Sequence, residues 1–130
     1  MAAKSILYIE DQPDIIDLVR LALRRMDVLV HSAVDGEQGI RRMRELKPDL
    51  VLLDLMLPGW DGWHVRDLML ADPELREIPV VLVTARMPIN LGSEGDALPP
   101  ADAYITKPFA LSDMRSTIER ILVQAPALAN

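Results

Sequence analysis

Cysteine is absent from the 130 residues, which removes disulfides, thiolate nucleophiles and thiolate metal sites. An excess of basic charge is missing too. Fourteen Lys plus Arg stand against twenty Asp plus Glu, a formal charge of −6 and a pI near 4.8. That balance repels a phosphate backbone, so direct nucleic-acid binding is not expected without a local basic patch. Anionic membrane surfaces are disfavoured for the same reason. No apolar run reaches the length of a membrane span, because Asp54 interrupts the longest candidate. After Lys4, the apolar stretch ILYI ends at Glu10, too short for a signal-peptide core. A cytoplasmic location is therefore expected. What the chain does have is a 50% apolar content, which excludes disorder, and a length that suits one domain. Residues 1–124 are expected to form it, with the Ala/Pro-rich 125–130 as a frayed tail.

Four short apolar runs stand out, Ile6–Ile9, Val28–Val30, Leu50–Leu53 and Val80–Val83, with a weaker fifth at Ala103–Ile105. They are continuous rather than alternating, the pattern of strands covered on both faces in a parallel sheet. Between them lie helical periods. Pro13 suits a first helical position and Asp14 the positive end of the helix dipole. Ile15, Leu18, Val19, Ala22 and Met26 then follow at three- and four-residue steps. Asp35 with Gln38 resembles a capping box, ahead of Ile40, Met43 and Leu46; Lys47-Pro48 stops that helix. A third helix is expected from Gly62 through Val65, Leu68 and Met69 to Asp72-Pro73. A last one carries Leu111, Met114, Ile118, Ile121 and Leu122. Strands alternating with helices of this length mean βαβ units and an α/β parallel sheet.

One connection breaks the alternation. Residues 86 to 102 contain Pro88, Gly92, Gly95, Pro99 and Pro100, and no stretch between them allows more than about two helical turns. The expectation is a loop, with the helix between the fourth and fifth strands missing or irregular, and a mobile segment there.

In open α/β sheets, ligands bind beyond the carboxyl ends of the strands. The first run ends in Glu10-Asp11, the third in Asp54 and the fourth in Thr84; the fifth leads through Thr106 to Lys107. If the first and third strands are neighbours, three carboxylates converge. Two of them about 4 Å apart repel by roughly 4 kcal/mol at an effective dielectric of 20. Such a cluster calls for protonation or a cation, and oxygen-only ligands suit Mg²⁺ or Mn²⁺ rather than zinc. With a hydroxyl and an ammonium beside it, the cup fits a phosphoryl group.

Taken in order, the segments ILYIEDQPD, DGEQGI, KPDLVLLDLMLPGWDGW, DPELREIPVVLVTA and AYITKPF resemble the receiver domain of two-component response regulators over residues 4 to about 124. The resemblance implies a flavodoxin-like, doubly wound five-stranded sheet of order 2-1-3-4-5. It implies Asp54 as the acceptor of a phosphoryl group from a sensor histidine kinase or histidine phosphotransfer protein. Glu10, Asp11, Asp54 and the backbone carbonyl of Met56 would hold Mg²⁺, with Mn²⁺ as an alternative. Thr84 would donate to a phosphoryl oxygen and Lys107 pair with the phosphate, followed by a cis peptide to Pro108. Tyr104 resembles the aromatic switch, although a core tyrosine is the competing reading. Met56 and Arg86 flank the site in the family and would tune the phosphoryl lifetime. The implied molecule is a single-domain phosphorylation switch rather than a turnover enzyme, acting on an unidentified downstream protein. Without a regular helix in 86–102, the family's usual dimer is not expected.

Three rivals are weighed against this. A phosphohydrolase of the haloacid-dehalogenase type also uses an aspartyl nucleophile with Mg²⁺, but carries a second Asp where this chain has Met56. A flavodoxin-like carrier needs a Ser/Thr/Gly-rich loop where Glu10-Asp11-Gln12-Pro13 stands. A receiver working chiefly as a protein-binding adaptor is the third. Trp60 and Trp63 read as a partner patch or as packing. His31 and His64 read as bystanders, Arg41, Arg42 and Arg44 as a solvated face, and the methionines as core filling.

Overall fold

The apolar runs become the strands of one five-stranded parallel sheet in order 2-1-3-4-5, in a computed structural model that describes residues 3–85 and 98–124. In chain order the elements are β1 (Lys4–Ile9), α1 (Pro13–Leu23), β2 (Val28–Ala33), α2 (Gly36–Leu46), β3 (Leu50–Asp54), α3 (Gly62–Ala71), β4 (Val80–Thr84), β5 (Ala103–Thr106) and α4 (Leu111–Gln124). Side chains of a strand point alternately to its two faces, and the core divides accordingly. Ile6, Tyr8, Leu50, Leu52, Val81 and Val83 pack with α1 and α4 through Val19, Met114 and Ile118. Leu7, Ile9, Val51, Leu53, Val80 and Leu82 pack with α2 and α3 through Met43, Val65 and Met69. Helices on both faces are what make the central strands continuous apolar runs.

β2 departs from that expectation. Among the described strands it lies at the sheet edge and pairs with β1 alone, and Leu29 is 57% exposed. It also extends past Val30 to Ala33, because parallel pairing to Leu7, Tyr8 and Ile9 needs only backbone groups and admits His31 and Ser32. Of the expected stripe of α1, Val19 is buried and Ile15 and Met26 pack partly against the core, while Leu18 is exposed; Ile16 and Leu23 complete the buried face. Pro13 does open α1. Asp35 accepts from the Gln38 N–H at 2.8 Å, and the Gln38 side chain accepts in return from the N–H of Val34, one residue before the cap. α2 ends in Lys47 at φ 46°, before Pro48, whose ring disfavours the helical region for the residue preceding it.

Residues 86–97 of the connection between β4 and β5, the tail 125–130, and the expectations of mobility and fraying attached to them lie outside the described residues. In the described part of that connection, 98–102, no helix forms. Among the described residues no helix is long and apolar enough to cross a membrane.

The strand order reverses at β1, whose neighbours β2 and β3 lie on opposite sides. A crevice at the carboxyl ends of β1 and β3 follows from that reversal, and Glu10 and Asp54 stand at those ends.

Candidate functional site

Asp54 is the last residue of a fully buried strand, so its carboxylate sits at the rim of the core. One oxygen, Oδ1, accepts from the Met56 N–H at 2.9 Å. The other, Oδ2, accepts from Lys107 Nζ at 2.8 Å. The same ammonium donates to Glu10 Oε1 at 2.7 Å, and Glu10 Oε2 accepts from the Gln12 N–H at 3.1 Å. Lys107 thus bridges two buried acids that arrive from neighbouring strands. The loop after Asp54 is shaped by two glycines for different reasons. Gly59 has φ +70°, the left-handed region that favours glycine. Gly62 starts α3 against the strand end, where an added Cβ would stand 2.5 Å from Leu55 Cα and 2.8 Å from the Asp54 carbonyl oxygen.

Electrostatics follow from burial. Glu10 has no exposed surface. Desolvation raises its pKa and the Asp54 charge adds to the rise, against the lowering effect of the Lys107 hydrogen bond. Burial works against the charge on Lys107, yet its hydrogen bonds to Asp54 and Glu10 leave its pKa raised. Asp11 is exposed beside them, and one carboxylate oxygen from each of Glu10, Asp11 and Asp54 lies within 4.8 Å of the others. An oxygen-only set open to water on one side fits a hard divalent ion.

Thr84 is buried at the end of β4, and its carbonyl accepts from the Lys107 N–H at 2.8 Å. The Lys107–Pro108 peptide is cis. The Met56 side chain is exposed, not core filling, unlike Met43, Met69 and Met114. Tyr104 is 41% exposed, with its hydroxyl donating to the Pro99 carbonyl at 2.9 Å; it is no core tyrosine. Trp63 packs into the core on the α2–α3 side of the sheet. Trp60 is more exposed and meets His64 edge-on at 5.0 Å between ring centroids. The arginine face of α2 is only partly solvated: Arg44 bonds Asp72 at 2.8 Å, and Arg42 Nε is buried without a hydrogen-bond partner among the described residues.

Two residues of interest give no sequence signal. Tyr8 is buried under the site with its hydroxyl 3.5 Å from Glu10 Oε1. Burial and then the Glu10 charge push its pKa far above the usual phenol range. In the sequence it is one more apolar residue of ILYI. Arg66 is buried on α3, where its position reads as helix surface.

Comparison with known proteins fits this geometry. The profile of the response regulator receiver domain matches residues 6–119. The DNA-binding dual master transcriptional regulator RpaA of Synechocystis is 40% identical over 118 residues, 90% of this chain and 48% of its own length. The phosphate regulon transcriptional regulatory protein PhoB of Klebsiella pneumoniae is 34% identical over 98% of this chain and 55% of its own. The chain spans about half the length of these curated relatives. Among solved structures, the receiver domain of the sensor histidine kinase PA1611 from Pseudomonas aeruginosa superposes with a TM-score of 0.82 at 26% identity. It covers 95% of this chain and 100% of its own, and has a magnesium ion in its active-site cleft. With its profile matched across nearly the whole length and its sheet order and acidic crevice in place, the chain belongs to the response regulator receiver domain family.

Proposed function

We propose that this domain accepts a phosphoryl group on Asp54 and uses the modified state to change its binding to a protein partner. The observation that carries the reading is the Lys107 bridge to Glu10 and Asp54, at 2.7 and 2.8 Å, beside the exposed Asp11. A carboxylate oxygen of Asp54 attacks the phosphorus of a phosphohistidine on a histidine kinase or phosphotransfer protein. The new P–O bond forms as the P–N bond breaks, and its electron pair leaves with the donor imidazole. Lys107 neutralises the incoming charge, and the Thr84 hydroxyl donates to a phosphoryl oxygen. Glu10, Asp11, Asp54 and the Met56 carbonyl would hold Mg²⁺, or Mn²⁺ in its place, which when bound supplies the charge that lets a dianion approach three acids. The chemistry is largely positioning, because the donor is already reactive. Slow hydrolysis of the acyl phosphate then limits the signal. The haloacid-dehalogenase reading loses ground further, since Met56 offers no general acid and its side chain points into solvent.

Radiolabel transfer from acetyl phosphate or a kinase tests the proposal. Wild type is expected to take up label in Mg²⁺, and Asp54→Asn to take up none. Equal labelling of the two, or unchanged labelling in excess EDTA, refutes the assigned acceptor or its metal dependence.

A further inference from the structure

The strap that leads into β5 is held by bonds that neither the acceptor nor the metal site explains. Pro99 and Pro100 have no N–H, so at these residues the strap can be tied only through carbonyl oxygens. Each carbonyl receives one long side chain. Tyr104 donates to Pro99 at 2.9 Å, and Arg66 Nε donates to Pro100 at 2.7 Å. Two residues on, Asp102 is clamped to the start of β4: its N–H donates to the Val80 carbonyl at 2.9 Å, and its Oδ2 accepts the Val80 N–H at 2.8 Å.

Arg66 is an expensive way to make such a bond. It lies on α3 between the buried Val65 and Met69 on the same turn region, with only 6% of its surface exposed. Its Nη1 is buried with no hydrogen-bond partner among the described residues. Burial lowers its pKa, and the charge of Asp102 opposes that only in part. Leu or Met at this place would avoid the desolvation cost of a cation. The Pro100 bond is what an aliphatic side chain could not supply.

We propose that Arg66 is a positioning residue: from α3 it fixes the Pro99–Pro100 carbonyls and thereby holds Tyr104 in its half-exposed orientation. The signalling value of this latch rests on the receiver reading above and on the resemblance of Tyr104 to that family's aromatic switch. The latch itself does not.

Arg66→Met places a methyl where Nε stands and removes the donor. Arg66→Gln sets its amide nitrogen the same number of bonds from the backbone, so it keeps a donor for Pro100 while dropping the charge. The full chain labelled with 3-fluorotyrosine gives two ¹⁹F lines, from Tyr8 and Tyr104, assigned with Tyr104→Phe. In R66M the Tyr104 line is expected to move toward the position of a solvated tyrosine, and the Asp102 amide to exchange about ten-fold faster. In R66Q both are expected to stay near wild type. A Tyr104 line unmoved in R66M, or moved as far in R66Q as in R66M, overturns the proposal. If R66M also displaces the buried Tyr8 line, R66Q decides alone: a wild-type Tyr104 line supports the latch and a displaced one overturns it. A second arm adds beryllofluoride with Mg²⁺. R66M is expected to respond at roughly three-fold lower concentration than wild type and R66Q, and equal midpoints in all three remove the link to the site. Absence of any response in wild type sinks the receiver mechanism, while the fluorine lines of the first arm still decide the latch.

Discussion

Lys107 carries the electrostatic balance of the crevice at the scale of single residues, because one ammonium faces two buried carboxylates. Lys107→Met leaves Glu10 and Asp54 uncompensated, and breaking a buried pair on one side costs about 3–5 kcal/mol. The partial exposure of Lys107 places the expectation near 3 kcal/mol at neutral pH. The sign of the pH dependence follows from Glu10, whose folded pKa lies above the ordinary value of 4.5. The folded state binds the proton more tightly, so Glu10 favours folding most at low pH. That contribution falls as pH rises from 4.5 through the folded pKa. Lys107, raised above 10.5, contributes stability through the whole neutral range and loses it only when pH climbs through its folded pKa. The Lys107→Met penalty should therefore be largest near pH 7.5 and shrink toward pH 5, where Glu10 can protonate. Urea melts of both proteins without metal at the two pH values measure this. A penalty independent of pH would show that Glu10 does not govern it.

Elements set the site through their ends, and the two loop glycines separate two kinds of constraint. At Gly62 a methyl group meets backbone atoms of Leu55 and Asp54 that cannot swing aside. Gly62→Ala should cost about 1–3 kcal/mol as overpacking and slow labelling of Asp54, since the strand end must shift. At Gly59 nothing among the described residues lies within 4 Å of the added carbon, and φ +70° is what resists. Gly59→Ala should cost about 1–2 kcal/mol, Gly59→Asn less because asparagine tolerates that region, and neither should move Asp54. Denaturant melts paired with labelling rates distinguish the cases; a labelling defect in Gly59→Ala equal to that of Gly62→Ala would contradict the steric argument. The same contrast explains what could be read from the sequence. β1, β3 and β4 were legible because burial on both faces leaves a continuous apolar run, and Pro13, Asp35 and Lys47-Pro48 mark helix ends by local chemistry. β2 was cut short because pairing at an edge is a backbone matter, indifferent to His31 and Ser32. Glu10, Asp11, Asp54 and Lys107 could be gathered since each ends or follows a strand. Arg66 could not, because burial of a helix arginine is decided by a proline carbonyl 34 residues away.

Across the whole molecule the acids are the point where the two wound halves of the sheet meet. Glu10 and Asp11 follow β1 and Asp54 ends β3, adjacent strands that pair along Ile6–Ile9 and Leu50–Leu53. Their three oxygens come within 4.8 Å of one another only when that pairing exists, so an unfolded chain has no comparable site. A ligand that binds only the folded form stabilises it by RT ln(1 + [L]/Kd), about 1.4 kcal/mol for each tenfold rise in free ion beyond saturation. Mg²⁺ should accordingly raise the melting temperature by a few degrees per decade at neutral pH, and EDTA should reverse it. Asp11 is exposed and outside both halves of the core, so Asp11→Asn should leave metal-free melting unchanged or slightly raised, by relief of repulsion. The Mg²⁺-dependent rise in that variant should fall to a small fraction of the wild-type value. Sodium chloride at matched ionic strength controls for general screening of the −6 charge. Equal rises in wild type and Asp11→Asn, or a rise that sodium chloride reproduces, would mean that the strand pairing is not stabilised through an ion held by these carboxylates.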